Sequence, residues 1–298
     1  MSSLRKGAGR MDSIVQSLRI RQWLKNVVVL APLVFSGQLS DWPSVVRACL
    51  AMISLCLASS GGYLINDVLD RRIDRFHPIK KSRPVASGAL PVWSAWLLAL
   101  VLMSGSVWLA TQVHPKLGAV VLGYMALSLA YSLFFKRVVI LDALMLSIGF
   151  VVRIWAGAVV LDLVPSHWLQ LSMFFLALFL NLAKRRQELM SLQALALRHR
   201  RVLSSYTPAF IDQLTAVLTA VSILCYALYA VSPEVTGRLG QAGFIYTVPF
   251  VIYGIFRYLY LMHVRQEALD PTEALLSDMP ILLAVVAWGL SVLWILYH

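Results

Sequence analysis

Apolar runs of about 20 residues recur along most of the chain, and they constrain its fold more than any other sequence feature. The runs begin near Val27 and continue to Tyr297. A helix of about 20 residues crosses the roughly 30 Å hydrocarbon core of a bilayer. Backbone groups in lipid must be hydrogen-bonded within their own segment, so helices are the expected element. The sequence therefore predicts an all-α membrane protein.

Composition agrees with this prediction and excludes an ordinary soluble domain. Of 298 residues, 59% are hydrophobic and 13% charged, about half the charged fraction of a soluble domain. We predict about nine transmembrane helices in one domain over residues 1–298, with 1–22 as a cytoplasmic or interfacial segment. The expected spans are Trp23–Gln38, Val45–Ile65, Val92–Val113, Leu117–Phe135, Ile140–Val160, Trp168–Leu182, Phe210–Tyr229, Ile245–Leu261 and Met279–Tyr297.

The charges punctuate the apolar runs and alternate from loop to loop. The net charge of +12 could suggest nucleic acid, but a nucleic-acid partner needs a basic face on a soluble fold, so none is expected. One set of loops, which includes Arg19, is strongly basic, whereas the opposite set holds Arg47, Lys116 and Arg238. The positive-inside rule then predicts a multi-pass protein of the cytoplasmic (inner) membrane, with a cytoplasmic N-terminus and His298 outside.

An acidic cluster follows the apolar run that ends at Ile65. On a continuing helix Asn66, Asp67, Asp70 and Asp74 share one face. Like charges at this spacing repel, but a hard cation such as Mg²⁺ binds carboxylate oxygens while it keeps waters and substrate phosphate oxygens. The alternative is a solvated helix end paired with nearby arginines. Ionisable groups at the end of a membrane span favour a functional site.

Basic residues follow in a loop bounded by Pro78 and Pro84. The two prolines end the helix and hold the loop, which can turn Lys80 and Arg83 back toward the carboxylates. Arginine offers a fork for phosphate oxygens, and lysine offers a point charge. The alternative is ordinary positive-inside charge, most clearly for Lys81.

The acidic cluster and the loop together resemble a known motif. Asn66, Asp67, Asp70 and Asp74, followed by His77-Pro78 and Arg83-Pro84, are similar to the first Asp-rich motif of the UbiA superfamily of intramembrane prenyltransferases. The resemblance implies a nine-helix bundle with a metal-bound diphosphate at the cytoplasmic rim, and Mg²⁺ as cofactor.

A closer resemblance is to the polyprenyl-phosphate phosphoribosyltransferases of that superfamily. It rests on the order of several stretches: Arg21 to Asn26, Tyr131 to Lys136, Arg153, Lys184 to Leu189, Ser205-Tyr206, and Pro249 to Tyr258. It implies transfer of 5-phosphoribose from phosphoribosyl pyrophosphate to a polyprenyl (decaprenyl-type) phosphate, with release of diphosphate. The product would be a precursor of cell-envelope glycolipids.

The second half of the chain departs from the general prenyltransferase pattern, which carries a second Asp-rich motif after the sixth span. Asn181, Lys184 and Glu188 repeat the spacing of Asp67, Asp70 and Asp74, but with a cation in the middle. One acidic cluster and a cation suit one metal-bound diphosphate and one further phosphate. This pattern favours phosphoribosyl transfer, and an ionised phosphate nucleophile needs no general base.

The site residues divide into metal ligands and phosphate-binding candidates. Asp67 and Asp70 are the expected ligands, with Asn66 and Asp74 completing the shell. The substrate-binding candidates are Lys25, Lys80, Arg83, Tyr131, Lys136, Arg153, Lys184, Arg185, Glu188 and Arg257. An unpaired cation deep in a span is costly, so Arg153 needs a substrate or a structural partner such as Asp142 or Glu188.

Two other functions stay open. A UbiA-type prenyltransferase that joins a polyprenyl diphosphate to an aromatic acceptor would share the fold and the first motif, but would need a second acidic cluster. A transporter would place charges or helix breaks at mid-membrane in corresponding halves, whereas here most charges gather at one rim. The sequence makes no prediction of oligomeric state or acceptor chain length.

Overall fold

The computed structural model is helical and contains no strand in the part of the chain it describes. It describes residues 12–76, 80–199, 205–233, 242–265 and 271–297, with the backbone alone over 191–199, 242 and 271–272. The His77-Pro78 pair, residues 200–204 of the second basic loop and His298 lie outside these ranges.

The chain forms two compact units, each of which takes two separate stretches of sequence. The first unit comprises Met1–Phe135 and Val152–Val164. Its long helices are α1 (Trp42–Asp74), α2 (Val92–Val113), α3 (Pro115–Leu133) and the later part of α4 (Leu141–Val159). Helix α1 packs against α2, α3 and a preceding 3₁₀ segment, Ile20–Leu30.

The second unit comprises Lys136–Val151 and Pro165–His298. It holds the start of α4 and the helices α5 (His167–His199), α6 (Pro208–Ala230), α7 (Val248–Tyr260) and α8 (Met279–Tyr297). Helix α5 packs along α6, and α7 packs against α8. A π-helical turn, Leu261–Arg265, continues α7.

Seven helices in the described residues are long and apolar enough to cross a membrane, fewer than the nine spans expected from the sequence. The first expected span, Trp23–Gln38, is replaced by the 3₁₀ segment and a short helix, Ala31–Phe35. The sixth forms α5, which is not one of the seven. The other seven expected spans each lie on one of the seven candidate helices, and α2 and α8 have the expected bounds.

Polar side chains and prolines define where several helices begin. The Asp41 carboxylate accepts a hydrogen bond from Ser44 N at 3.1 Å, so it caps α1. His114 caps α3 and Thr207 caps α6, each by accepting a backbone N–H of the first turn. A proline follows each cap within two residues, because the first turn of a helix leaves its N–H groups unpaired in any case.

Small residues let the helices of the first unit approach closely. A Cβ added at Gly61 of α1 would lie 2.6 Å from Met103 Cγ and 3.3 Å from Ala99 O, both on α2. A Cβ added at Gly157 of α4 would lie 1.9 Å from the carbonyl oxygen of Val29. Such close backbone approach through glycine is typical of helix packing in membranes. It brings the 3₁₀ segment against α4.

Helix α1 is longer than a membrane requires. Its 33 residues extend over about 50 Å, against a hydrocarbon core of about 30 Å. The acidic residues occupy its last three turns, beyond the apolar part that begins at Val45. The acidic cluster therefore lies on a part of α1 that the hydrocarbon core does not require.

Candidate functional site

The acidic end of α1 and the loop after it form a compact charged cluster in the first unit. Arg83 Nη1 donates to Asp67 Oδ1 at 3.1 Å and to Asp74 Oδ2 at 2.7 Å. Both carboxylates are buried, with Asp67 2% and Asp74 3% exposed. The two acids lie about two turns apart on one face of α1, as their spacing predicts. A single cationic nitrogen thus lies between them.

Arg19 completes this cluster, although the sequence indicated it only as a cytoplasmic charge. Its Nη2 donates to Asp67 Oδ1 at 2.5 Å, and its guanidinium lies 4.9 Å from the centre of the Tyr63 ring. Burial lowers the pKa of Arg19, and the charge of Asp67 opposes that shift. The partners are 48 positions apart, so no local pattern could have joined them.

The backbone turns sharply at Arg19. Its φ of 52° and ψ of 50° are left-handed, a conformation rare for residues other than glycine. This residue separates a helical stretch over 12–18 from the segment Ile20–Leu30. Gln22 N donates to the Arg19 carbonyl at 2.7 Å, which closes the turn. The turn directs the chain so that the Arg19 side chain reaches α1.

The loop after α1 is held by hydrogen bonds to its backbone carbonyls, and these bonds help to position Arg83. Arg75 Nε donates to the Ala86 carbonyl at 3.1 Å, and Leu90 N donates to the Pro84 carbonyl at 2.9 Å. A short helix, Pro84–Ser87, ends at Gly88, whose φ of 88° needs a residue without a Cβ. Lys80 is half-buried and Lys81 is exposed.

The donor set of this cluster fits a hard divalent cation. Carboxylate and amide oxygens of Asn66, Asp67, Asp70 and Asp74 are the ligand types that Mg²⁺ prefers. Because Asp67 and Asp74 both reach one nitrogen of Arg83, one positive centre can be shared between them. Within the described residues no group of three or more His, Cys, Asp or Glu side chains could by itself hold a metal. Mg²⁺ usually keeps several waters or substrate oxygens beside one or two carboxylates.

Two other candidates of the first unit, Lys25 and Tyr131, are half-buried. Lys25 lies on the 3₁₀ segment, which is fastened to α1 by a chain of hydrogen bonds. Trp23 Nε1 donates to Ser60 Oγ at 3.0 Å, and that hydroxyl donates to the Leu18 carbonyl at 2.8 Å. These two bonds hold Leu18 and Trp23, on either side of Arg19, against α1.

Arg153 lies in a buried polar network of the first unit. The residue is 5% exposed, its Nε donates to Asn26 Oδ1 at 2.7 Å, and its Nη2 donates to the Tyr124 hydroxyl at 2.9 Å. Asn26 donates in turn to Cys56 Sγ at 3.2 Å and to Ser59 Oγ at 3.4 Å. These contacts give the guanidinium a structural role, beside the substrate contact expected from the sequence.

Asp142, considered as a partner of Arg153, pairs instead with Arg185 in the second unit. Arg185 Nε donates to Asp142 Oδ2 at 2.8 Å, and its Nη1 donates to Glu188 Oε2 at 3.0 Å. Tyr206 donates its hydroxyl hydrogen to Asp142 Oδ1 at 2.8 Å. Asp142 is fully buried and Arg185 is 2% exposed. The two oxygens of Asp142 thus accept from Arg185 and Tyr206, whereas the Arg153 contacts described above are with Asn26 and Tyr124.

Asn181, Lys184 and Glu188 all lie on α5, but their side chains have different surroundings. Asn181 Nδ2 donates to Ser147 Oγ at 3.2 Å. Glu188 pairs with Arg185, and Lys184 is half-buried. Arg186 pairs with Asp212 at 2.6 Å and donates to the Met262 carbonyl in the π turn at 3.1 Å.

Arg257, on α7, pairs with Asp278 just before α8. Its Nη2 donates to Asp278 Oδ2 at 2.8 Å, and its guanidinium lies 5.1 Å from the centre of the Tyr260 ring. Asp278 Oδ1 also accepts Ile281 N at 3.0 Å. The hydrogen bond from Arg257 lowers the pKa of Asp278 below its usual range. Of the other second-unit candidates, Lys136 is half-buried on a 3₁₀ turn, Phe135–Arg137.

Comparison with known sequences identifies relatives that span almost the whole chain. The model of the UbiA prenyltransferase family matches residues 27–276. The chain is 33% identical to the decaprenyl-phosphate phosphoribosyltransferase of Mycolicibacterium smegmatis over 287 residues, 93% of this chain and 90% of that protein. It is 30% identical to the decaprenyl-phosphate phosphoribosyltransferase of Corynebacterium glutamicum over 292 residues, 96% and 87% of the two chains.

Comparison with solved structures shows a UbiA-like fold. A UbiA homologue from Archaeoglobus fulgidus, solved with GPP and Mg²⁺, superposes with a TM-score of 0.72 at 19% identity, over 95% of this chain and 99% of that one. At this identity the likeness concerns the fold alone. The family match, the relatives at 30–33% identity and the helical fold agree. The chain is a multi-pass membrane protein that belongs to the UbiA prenyltransferase family.

Proposed function

We propose that this protein transfers 5-phosphoribose from phosphoribosyl pyrophosphate to a polyprenyl phosphate of the decaprenyl type and releases diphosphate. An oxygen of the lipid phosphate forms the new bond to the anomeric carbon of ribose. The bond from that carbon to the diphosphate oxygen breaks, and the diphosphate leaves with the electron pair. The product is a phosphoribosyl lipid suited to the synthesis of cell-envelope glycolipids.

The observation that carries this proposal is the similarity to two decaprenyl-phosphate phosphoribosyltransferases over at least 93% of this chain. The charge pattern supports it. The first unit has one buried acidic cluster at the end of α1, whereas the matching spacing on α5 has Lys184 in place of an acid. A prenyltransferase with two acidic motifs would not need that cation.

We assign Asp67, Asp70, Asn66 and Asp74 to the binding of Mg²⁺, which when bound neutralises charge on the departing diphosphate. Arg83 and Arg19 already lie against Asp67. They are placed to exchange that contact for phosphate oxygens, to which arginine binds with two parallel hydrogen bonds. The lipid phosphate is ionised at neutral pH, so no side chain has to remove a proton from the nucleophile.

We further propose that the acidic cluster faces the cytoplasm in the inner membrane, as the positive-inside rule indicates. Ser82, in the loop that carries Arg83, is exposed. A Ser82→Cys variant should then resist an impermeant thiol reagent in intact cells and react after the cells are opened. Labelling from outside would reverse the orientation.

The direct test uses purified protein, phosphoribosyl pyrophosphate labelled in the ribose, and polyprenyl phosphate. Label should enter the lipid phase in a Mg²⁺-dependent manner. Asp67→Asn and Asp70→Asn should each reduce this transfer by orders of magnitude while the protein stays folded in detergent. Normal transfer in both variants, with Mg²⁺ still required, would contradict the metal assignment.

A further inference from the structure

The turn before α4 carries unusual backbone strain. Ile140 has a φ of +69°, a left-handed conformation that is a marked outlier for a β-branched residue. Its side chain is 40% exposed, so burial of its own apolar surface compensates little of this strain. Ile140 is also the first helical acceptor, since its carbonyl accepts Ala143 N and Leu144 N at 3.0 Å each. Something outside the turn has to hold it.

The hydroxyl of Tyr206 is the contact that holds the turn. Ile140 N donates to that oxygen at 2.7 Å, and the hydroxyl donates to Asp142 Oδ1 at 2.8 Å. Tyr206 is 4% exposed, and its ring stacks on Phe210 at 6.4 Å between centres. Burial raises the pKa of Tyr206, so the phenol stays protonated and keeps donating to Asp142.

The other oxygen of Asp142 accepts Arg185 at 2.8 Å. The Tyr206 hydroxyl and the Asp142 carboxylate therefore connect the Ile140 turn to Arg185 on α5. Arg185 directly follows Lys184. Lys136 lies four residues before Ile140, in the 3₁₀ turn Phe135–Arg137 that precedes the strained turn. Both lysines are phosphate-binding candidates. One is the neighbour of Arg185 on α5, and the other lies in the 3₁₀ turn just before the Ile140 turn.

We propose that Tyr206 is a positioning residue for the reaction, which acts by holding the Ile140 turn and so the placement of Lys136. The proposal rests on the proposed function for its reaction. Tyr206 itself touches no substrate in this account. A residue that acts in this way should change how well a phosphate substrate is bound, beyond any change in the amount of folded protein.

The test compares Tyr206→Phe with two other variants in the labelled transfer assay. Lys136→Ala identifies which substrate Lys136 serves, through the KM that rises. Tyr206→Phe, which keeps the ring, should raise the KM for the same substrate by about ten- to hundredfold, the scale that a misplacement of about 1 Å costs. Tyr226→Phe is the matched control, because it also removes a buried phenol, bonded to Thr247 and Trp288 at 2.7 Å each. Its KM values should equal those of the wild type.

A second readout does not depend on activity. Amide hydrogen exchange over residues 137–142 should become faster in Tyr206→Phe and stay unchanged in Tyr226→Phe, because only the first loses the acceptor for Ile140 N. Unchanged exchange in Tyr206→Phe would overturn the proposal. So would a Tyr206→Phe variant whose KM values are normal and whose apparent kcat falls only as much as that of Tyr226→Phe. If the wild type forms no phosphoribosyl lipid, the proposed function fails. The exchange experiment still tests the role of Tyr206 in that case. Added pyrophosphate should slow exchange in the turn of the wild type and should have no such effect in Tyr206→Phe.

Discussion

Arg19 and Asp67, 48 positions apart in the chain, form an ion pair of 2.5 Å in which the carboxylate is 2% exposed. A carboxylate buried to this extent depends on its cationic partners, since leaving a charge uncompensated in a low-dielectric site is costly. Arg19 and Arg83 both contact Oδ1 of Asp67. The pair therefore ties the segment before the first long helix to the acidic cluster.

Loss of Arg19 should destabilise the first unit. Arg19→Ala leaves Asp67 with Arg83 alone and should lower the free energy of unfolding by about 1.5–3 kcal/mol, the usual contribution of a hydrogen bond to a charged group. Chemical denaturation in detergent measures this change. Arg21→Ala, which removes an exposed cation from the same segment, is the control and should change stability little. Equal stability of the two variants would show that the Arg19 pair contributes nothing.

Arg153 should act mainly through structure. Arg153→Met removes the donors to Asn26 and Tyr124 and should lower the free energy of unfolding by about 1–3 kcal/mol, the cost of leaving buried polar groups unsatisfied. Arg153→Lys should do little better, since one ammonium group does not reproduce the two-sided fork. The control is Arg137→Met, at an exposed position. A variant at 153 as stable as this control but without turnover would assign Arg153 to the substrate instead.

Substitution by alanine should have opposite effects at two glycines, because only one of them lies against the backbone of another segment. Gly157→Ala would place a methyl group 1.9 Å from the Val29 carbonyl oxygen, and should cost more than about 3 kcal/mol or prevent recovery of folded protein. Gly123→Ala on α3 meets nothing within 4 Å and should stabilise its helix by up to about 1 kcal/mol. Size-exclusion profiles and melting temperatures of the two variants distinguish these outcomes. Similar behaviour of both would contradict the packing of α4 on the 3₁₀ segment.

The Arg257–Asp278 pair should make stability depend on pH in a defined direction. Because the hydrogen bond from Arg257 lowers the pKa of Asp278, the pair contributes its full stability above the unfolded value of about 3.9. That contribution is lost as pH falls through the lower folded pKa. Asp278→Asn keeps an acceptor for Ile281 N but loses the charge. Melting temperatures of wild type and variant should differ at pH 7 and converge toward pH 3. A constant difference would contradict the pair.

The sequence predicts most of the fold because the apolar runs are local signals. The bounds of α2 and α8 agree with the expected spans to the residue. The apolar run of α2, for example, is bounded by Pro91 and His114. The first expected span was wrong as a continuous helix. Most of its residues from Trp23 to Phe35 are apolar. Hydropathy alone does not distinguish a 3₁₀ segment from an α-helix.

The candidate site was predictable where its residues are neighbours on one helix, and not where distant segments meet. Asp67 and Asp74 share a face because of their spacing, and their common partner Arg83 follows within the next loop. Arg19 lies far away in sequence, and its charge reads as part of the basic cytoplasmic pattern. The contact between Tyr206 and Asp142 spans 64 positions, so neither residue carries a local signal of its partner.

A side-by-side assay measures whether the protein transfers phosphoribose to a lipid phosphate. One reaction contains purified protein, Mg²⁺, phosphoribosyl pyrophosphate and polyprenyl phosphate. The other contains the same protein with polyprenyl diphosphate and an aromatic acid, and Lys184→Ala is run in both. We predict a lipid-linked phosphoribosyl product in the first reaction alone, with weaker substrate binding in Lys184→Ala. Product in the second reaction alone would contradict phosphoribosyl transfer and assign the chain to the prenyltransferases that join a polyprenyl diphosphate to an aromatic acceptor.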